Sequence, residues 1–184
     1  MTIEARRFPE ADEDGFVSLG VLRKRAQLLS LDDFVGAYPC PALLVVKIEV
    51  GTEKGDPKAT VSAGPELVTQ LRSGRSAFRY VDEVAFLVRR PVGSSPGQVT
   101  VGRSGANDVV IGVDTISKQH GFFTAREGRW YLTDARSTNG ILLNSQRLEP
   151  EQESPLESGD RILWGTQINT LFLAPDALYA CARG

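Results

Sequence analysis

Residues 98–144 read QVTVGRSGANDVVIGVDTISKQHGFFTAREGRWYLTDARSTNGILLN, and the punctuation of this stretch decides the fold. Five short runs, Gln98–Gly102, Val109–Ile111, Gly121–Arg126, Arg129–Asp134 and Ile141–Asn144, are rich in branched and aromatic residues. Between them lie clusters of Gly, Ser, Asn and Asp. Branched and aromatic side chains fit a pleated, half-buried surface, whereas small polar residues close turns. Glu127-Gly128 joins two runs as a tight hairpin, where glycine supplies the positive φ that such a turn demands. The same pattern recurs outside the stretch at Val84–Arg89, Arg161–Trp164 and Gln167–Leu173. Many short strands with frequent turns predict an all-β sandwich or barrel.

Towards the N-terminus the character differs. Residues 1–15 are polar and carry the acidic run Asp12-Glu13-Asp14, the composition of a flexible tail. Residues 18–38 read as helical, with Ser18 and Ser30 as N-caps, Asp33 three positions after Ser30 as in a capping box, and Pro39 as the stop. Gly20 weakens the first of the helices. Ala42–Val50, bounded by Pro41 and Gly51, reads as a strand, and Gly51–Lys58 as a loop. Gly64-Pro65-Glu66 opens a short helix that Gly74 closes, and Pro175–Arg183 reads as a helix with proline at its start. The expected division is a tail over 1–15, an α/β or mainly helical extension of unassigned role over 16–80, a β domain over 82–175 and a short helix over 176–184.

Composition narrows the function classes. The net charge is −2, and the two halves are each close to balanced, so no global basic field attracts nucleic acid or membrane. An anion site here has to be local. Two cysteines, Cys40 and Cys181, are too few for a disulfide framework and suit a reducing compartment. The first residues lack a secretory h-region, and Ala42–Val50 is interrupted by Lys47 and Glu49 and too short to span a bilayer, so a cytoplasmic protein is expected. A single histidine, His120, leaves little for metal or triad chemistry, so neither a metal nor another cofactor is expected. Over 16–80 there is no P-loop spacing, and the acids Asp32, Asp33, Glu49 and Glu66 are scattered, so no catalysis is expected.

Three loops carry the chemistry. The first is Val101-Gly102-Arg103-Ser104-Gly105-Ala106-Asn107-Asp108, the second Asp114-Thr115-Ile116-Ser117-Lys118-Gln119-His120, the third Asp134-Ala135-Arg136-Ser137-Thr138-Asn139-Gly140. Each alone is ordinary: a solvated arginine, a serine-lysine pair, an Asn-Gly turn. Taken in order with Trp130–Asp134, Leu156–Gly159, Asp160, Ile162 and Gly165, they resemble the forkhead-associated (FHA) domain over about residues 82–175.

That resemblance implies an FHA/SMAD-like sandwich of about eleven strands that presents its loops at one end. It implies binding of a threonine-phosphorylated protein or peptide, downstream of a serine/threonine kinase. Arg103 would donate guanidinium bonds to the phosphate, Ser117 and Thr138 hydroxyl bonds, and the backbone of Lys118 an N–H. The side chain of Lys118 either adds attraction to phosphate or is simply solvated. Asn139 matches the residue that holds the peptide backbone, while Gly102, His120 and Gly140 shape the loops. Thr115 and Arg136 are alternative selectors of a peptide side chain. Ile141 stands where the family often has threonine and is expected to point inward. Gly159-Asp160 reads as a turn, and Trp130 and Trp164 as core anchors. The competing class is a phosphate-independent structural or assembly module. Thr2, in the tail, is a candidate for phosphorylation that the protein's own site could then hold.

Overall fold

The computed structural model describes residues 16–48, 84–90 and 97–184. The tail over 1–15 with Thr2, the loop Gly51–Lys58 and the helix expected from Gly64 to Gly74 lie outside the described residues. In chain order the elements are β1 (Phe16–Ser18), α1 (Leu19–Leu28), α2 (Leu31–Ala37), β2 (Ala42–Ile48), β3 (Val84–Leu87), β4 (Val99–Gly102), β5 (Val109–Val110), β6 (Gly121–Arg126), β7 (Arg129–Asp134), β8 (Ile141–Leu143), β9 (Gln146–Arg147), β10 (Ser154–Leu156), β11 (Arg161–Trp164), β12 (Ile168–Leu173) and α3 (Pro175–Arg183).

The strands form two sheets, one ordered β1-β3-β2-β12-β11-β8-β9 and the other β10-β7-β6-β4-β5. Among the described residues, all pairings are antiparallel except β4 with β5. The all-β sandwich read from the sequence is therefore the architecture observed, with helices beside it. The hairpin at Glu127-Gly128 has positive φ at both residues, 52° and 73°.

Alternation along the central strands explains how the layers stack. In β2, Leu43 and Val45 enter the core between the sheets, whereas Ala42 and Leu44 enter a second core on the opposite face. β3 repeats the division, with Val84 and Phe86 on one side and Ala85 and Leu87 on the other. A strand covered on both faces reads as a continuous apolar run, as Ala42–Val46 does. The second core is closed by Leu22 and Ala26 of α1, Phe34 of α2, and Leu178 and Ala182 of α3. Phe34 is fully buried, with the rings of Tyr38 and Tyr179 at 4.8 and 5.2 Å. Burying a side chain of that size contributes about 1.5–3 kcal/mol.

Between the sheets, Trp164 is fully buried against Phe123, and its indole N–H donates to Thr170 Oγ1 at 3.0 Å. Trp130 is half-buried and packs on the same core, and Ile141 is completely enclosed in it. Residues 18–38 form two helices, α1 and α2, each starting at one of the two serines expected as caps. Ser30 Oγ accepts from the N–H of Asp33 at 3.2 Å, as Ser18 Oγ accepts from that of Val21 at 3.3 Å. A side-chain acceptor there satisfies an N–H that has no partner within its helix.

Candidate functional site

The three loops connect β4 to β5, β5 to β6 and β7 to β8, and they are bonded to one another at one end of the sandwich. Loop one lies on loop two through backbone contacts: Arg103 N–H donates to Ser117 O at 2.9 Å and Ser104 N–H to Lys118 O at 3.2 Å. Asn107 reinforces the seam, its Nδ2 donating to Ser104 O and Lys118 O, both at 2.7 Å. This approach is too close for a side chain at Gly102, where a Cβ would meet Asn107 Nδ2 at 2.8 Å and Gln119 Cα at 2.9 Å. The requirement is steric: φ at Gly102 is not positive. At the base of loop one, Asp108 Oδ2 accepts from the N–H and hydroxyl of Thr100 at 2.8 and 2.9 Å.

Loop two is tied to loop three by His120. Its ring is fully buried; Nδ1 accepts the Ser117 N–H at 2.9 Å, so Nδ1 carries no proton and Nε2 donates to Gly140 O at 3.1 Å. Burial lowers the pKa of His120, against smaller raising contributions from the bond to Gly140 and the charge of Asp134. The ring is thus held neutral, a loop-shaping part and not a proton shuttle. Ser117 Oγ accepts the N–H of Thr138 at 3.0 Å and donates to Thr138 Oγ1 at 3.3 Å, a long bond that a stronger acceptor can displace. Asn139 Nδ2 donates to the carbonyl of Thr115 at 2.8 Å.

Loop three takes its shape from the buried Asp134, whose Oδ1 accepts from Ser137 N–H at 2.7 Å and whose Oδ2 accepts from Ser137 Oγ at 2.9 Å. Ser137 Oγ accepts in turn from Gly140 N–H at 3.0 Å. Gly140 has φ +81°, which a side chain resists, and the guanidinium of Arg147 occupies the place where a Cβ would go.

The expected site residues therefore fall into groups. Arg103, Ser117, Lys118, Thr138 and Asn139 are brought together with Gly102, His120 and Gly140. Arg103 is exposed; its Nε donates to Ile116 O at 3.1 Å, and no carboxylate among the described residues pairs with it. Lys118 is exposed and likewise unpaired, and no described residue takes its backbone N–H. Thr115 contributes its carbonyl to Asn139, while its own hydroxyl is buried without a hydrogen bond. Arg136 has φ +57° and is paired with Glu151 at 2.6 Å.

Sequence reasoning missed Asn107 and Asp134 as loop organisers and Arg147 as a neighbour of Gly140. Asn107 and Asp134 had a signal, being Asx residues within or at the edge of a loop, whose short side chains bond nearby backbone groups, Asn107 by donating to carbonyls and Asp134 by accepting an N–H. Both thiols are free, and burial pushes that of Cys40 up to about 11, far from a thiolate nucleophile. Among the described residues no group of His, Cys, Asp and Glu is placed to hold a metal, and no helix is long and apolar enough to cross a membrane.

Comparison with known proteins falls on the same residues. The family model described as FHA domain matches residues 99–165, which include all three loops. The oxoglutarate dehydrogenase inhibitor of Corynebacterium efficiens is 33% identical over 115 residues, covering 62% of this chain and 70% of that protein. The E3 ubiquitin-protein ligase DMA2 of Saccharomyces cerevisiae is 32% identical over 80 residues, covering 41% of this chain; the chain spans only 15% of the ligase. Among solved structures, that of the FHA domain of an Arabidopsis thaliana protein is similar at 26% identity with TM-score 0.46, covering 73% of this chain and 85% of that one. With its loops matched by the family model and its identity to the inhibitor running through most of that protein's length, this chain belongs to the FHA domain family.

Proposed function

We propose that the chain is a phosphothreonine-peptide-binding adaptor in serine/threonine kinase signalling, cytoplasmic and without catalysis of its own. One observation carries the reading: the three interlocked loops leave the terminal nitrogens of Arg103, the N–H of Lys118 and the hydroxyls of Ser117 and Thr138 uncommitted or weakly committed at one place. A phosphate dianion takes such charge-assisted donors well. Each bond to a charged group contributes about 1.5–3 kcal/mol, so three or four account for micromolar binding, about −8 kcal/mol, without a large interface. Asn139, fixed by Thr115, then has its side-chain oxygen to spare for a peptide N–H, which sets register. Thr115 and Arg136 remain the candidate selectors of peptide side chains, Arg136 only by giving up Glu151.

The test is fluorescence anisotropy with a degenerate phosphothreonine peptide library and its unphosphorylated counterpart. Wild-type protein should bind the phosphorylated pool at micromolar concentration, and Arg103→Ala should lose at least about tenfold, the loss of one charge-assisted bond. Because Arg103 also holds Ile116, a thermal unfolding curve of the variant checks that the fold persists. Equal binding of the two pools by wild-type protein would sink the phosphothreonine reading and leave a phosphate-independent assembly module in its place.

A further inference from the structure

Arg147 is the feature that the phosphothreonine reading leaves unused. It lies in β9, the edge strand of the larger sheet, where it pairs with Leu142 of β8. Three atoms of its guanidinium, Nη2, Cζ and Nη1, come within 2.5, 2.6 and 3.0 Å of the point where a Cβ on Gly140 would stand. With the bond lengths and angles of a planar guanidinium, those three distances are met only by a point well out of the plane, over the face of the group. The guanidinium is therefore stacked on the backbone of Gly140, the residue that follows Asn139 in loop three.

Stacking fixes the plane of a guanidinium but consumes none of its N–H donors, which point outward in that plane. No carboxylate among the described residues pairs with Arg147, and the side chain is exposed. The contrast with Arg136, the cation of loop three itself, is direct: that charge is already answered by Glu151. A pre-oriented arginine with unspent donors, next to the residue assigned to peptide register, is suited to a second anion on the same peptide.

We propose that Arg147 is a specificity-determining residue that binds an anionic side chain of the ligand, on the Asn139–Gly140 side of the phosphothreonine. The inference rests on the phosphothreonine reading and deepens it. The shared chemistry is a planar or tetrahedral oxyanion, supplied either by Asp or Glu or by a second phosphorylated residue.

The experiment uses the full chain and position-scanned phosphothreonine peptides in an alanine background. At each flanking position alanine, glutamate, phosphoserine or lysine is placed in turn. Wild-type protein should prefer an anion over alanine at one position by about fivefold, the upper range for an exposed ion pair. A preference for phosphoserine alone would assign the site to a doubly phosphorylated ligand; one shared by glutamate assigns it to acidic sequences. Arg147→Ala should abolish that preference while binding of the all-alanine phosphopeptide is retained, and Arg147→Glu should turn it towards lysine. An anion preference that survives Arg147→Ala, or no preference in the wild-type protein while phosphothreonine is still bound, overturns the role of Arg147 alone. Loss of all phosphate dependence in the wild-type protein overturns the underlying reading as well.

Discussion

At the scale of the residue, His120 shows how one buried side chain sets two loops at once. Its neutral ring accepts from Ser117 and donates to Gly140, so protonation at Nδ1 would point one N–H at another. The direction of the pH effect follows. The folded pKa lies below the ordinary value of 6.5, chiefly through burial, so on acidification the unfolded chain takes up a proton before the folded one does. The contribution is present in full above about pH 6.5 and is lost as pH falls through 6.5 towards the folded pKa. The unfolding midpoint in guanidinium chloride should therefore fall between pH 7.5 and pH 5.5, and His120→Gln, less stable at pH 7.5, should show a smaller fall. Parallel pH dependence in the two proteins would remove His120 as the cause. This role was legible in part: the resemblance marked His120 as a shaper of loops, but its two partners are set by folding, since Gly140 is twenty positions away. The same limit hid Thr115, which acts on Asn139 through a carbonyl that every residue has, and Arg147, whose interest comes from stacking and not from residue type.

At the scale of the element, strands were legible where burial imposed a pattern. Gly121–Arg126, Arg129–Asp134 and Arg161–Trp164 have the bounds that alternation and turns predict. Gln146–Arg147 was not visible because both residues are exposed, and Ser154–Leu156 because proline, tolerated on an edge strand, masks it. The helical span was read with two serine caps, and both are the caps observed, Ser18 opening α1 and Ser30 opening α2. Ser30 gives a separable test of that element. Its hydroxyl accepts from Asp33 N–H and donates to the Asp33 carboxylate at 2.7 Å, and both residues are exposed. Ser30→Ala should lower stability by about 1 kcal/mol, the usual cost of an N-cap, while phosphopeptide affinity stays unchanged because α2 packs on the face of the larger sheet and not at the loops. Chemical denaturation with anisotropy on the same samples reads both quantities. A loss of affinity alongside the loss of stability would show that the helical layer couples to the site.

At the scale of the whole molecule, the extension and the sandwich share a sheet. Composition changes near residue 80, which suggested a division there, but β2 lies between β3 and β12 and is antiparallel to both. The sequence could not show this, because strand order depends on pairing across the fold and β2 returns to β12 from more than a hundred residues away. Removing residues 1–81 would strip both neighbours of their partner and uncover Leu87 and Leu173, which α1, α2 and α3 enclose with β2. It would also remove Leu22, Phe34, Leu43 and Leu44 from their cores. At about 1.5–3 kcal/mol for each large side chain, those four alone match the 5–15 kcal/mol by which an ordinary domain is stable. The chain 82–184 should therefore lack a cooperative thermal transition and near-ultraviolet circular dichroism, and it should fail to bind phosphopeptide although all three loops are intact in its sequence. A fragment 82–184 that unfolds cooperatively and keeps wild-type affinity would show that β11, β12 and β8 close the sandwich unaided, and that residues 16–48 are an addition to the binding unit and not a part of it.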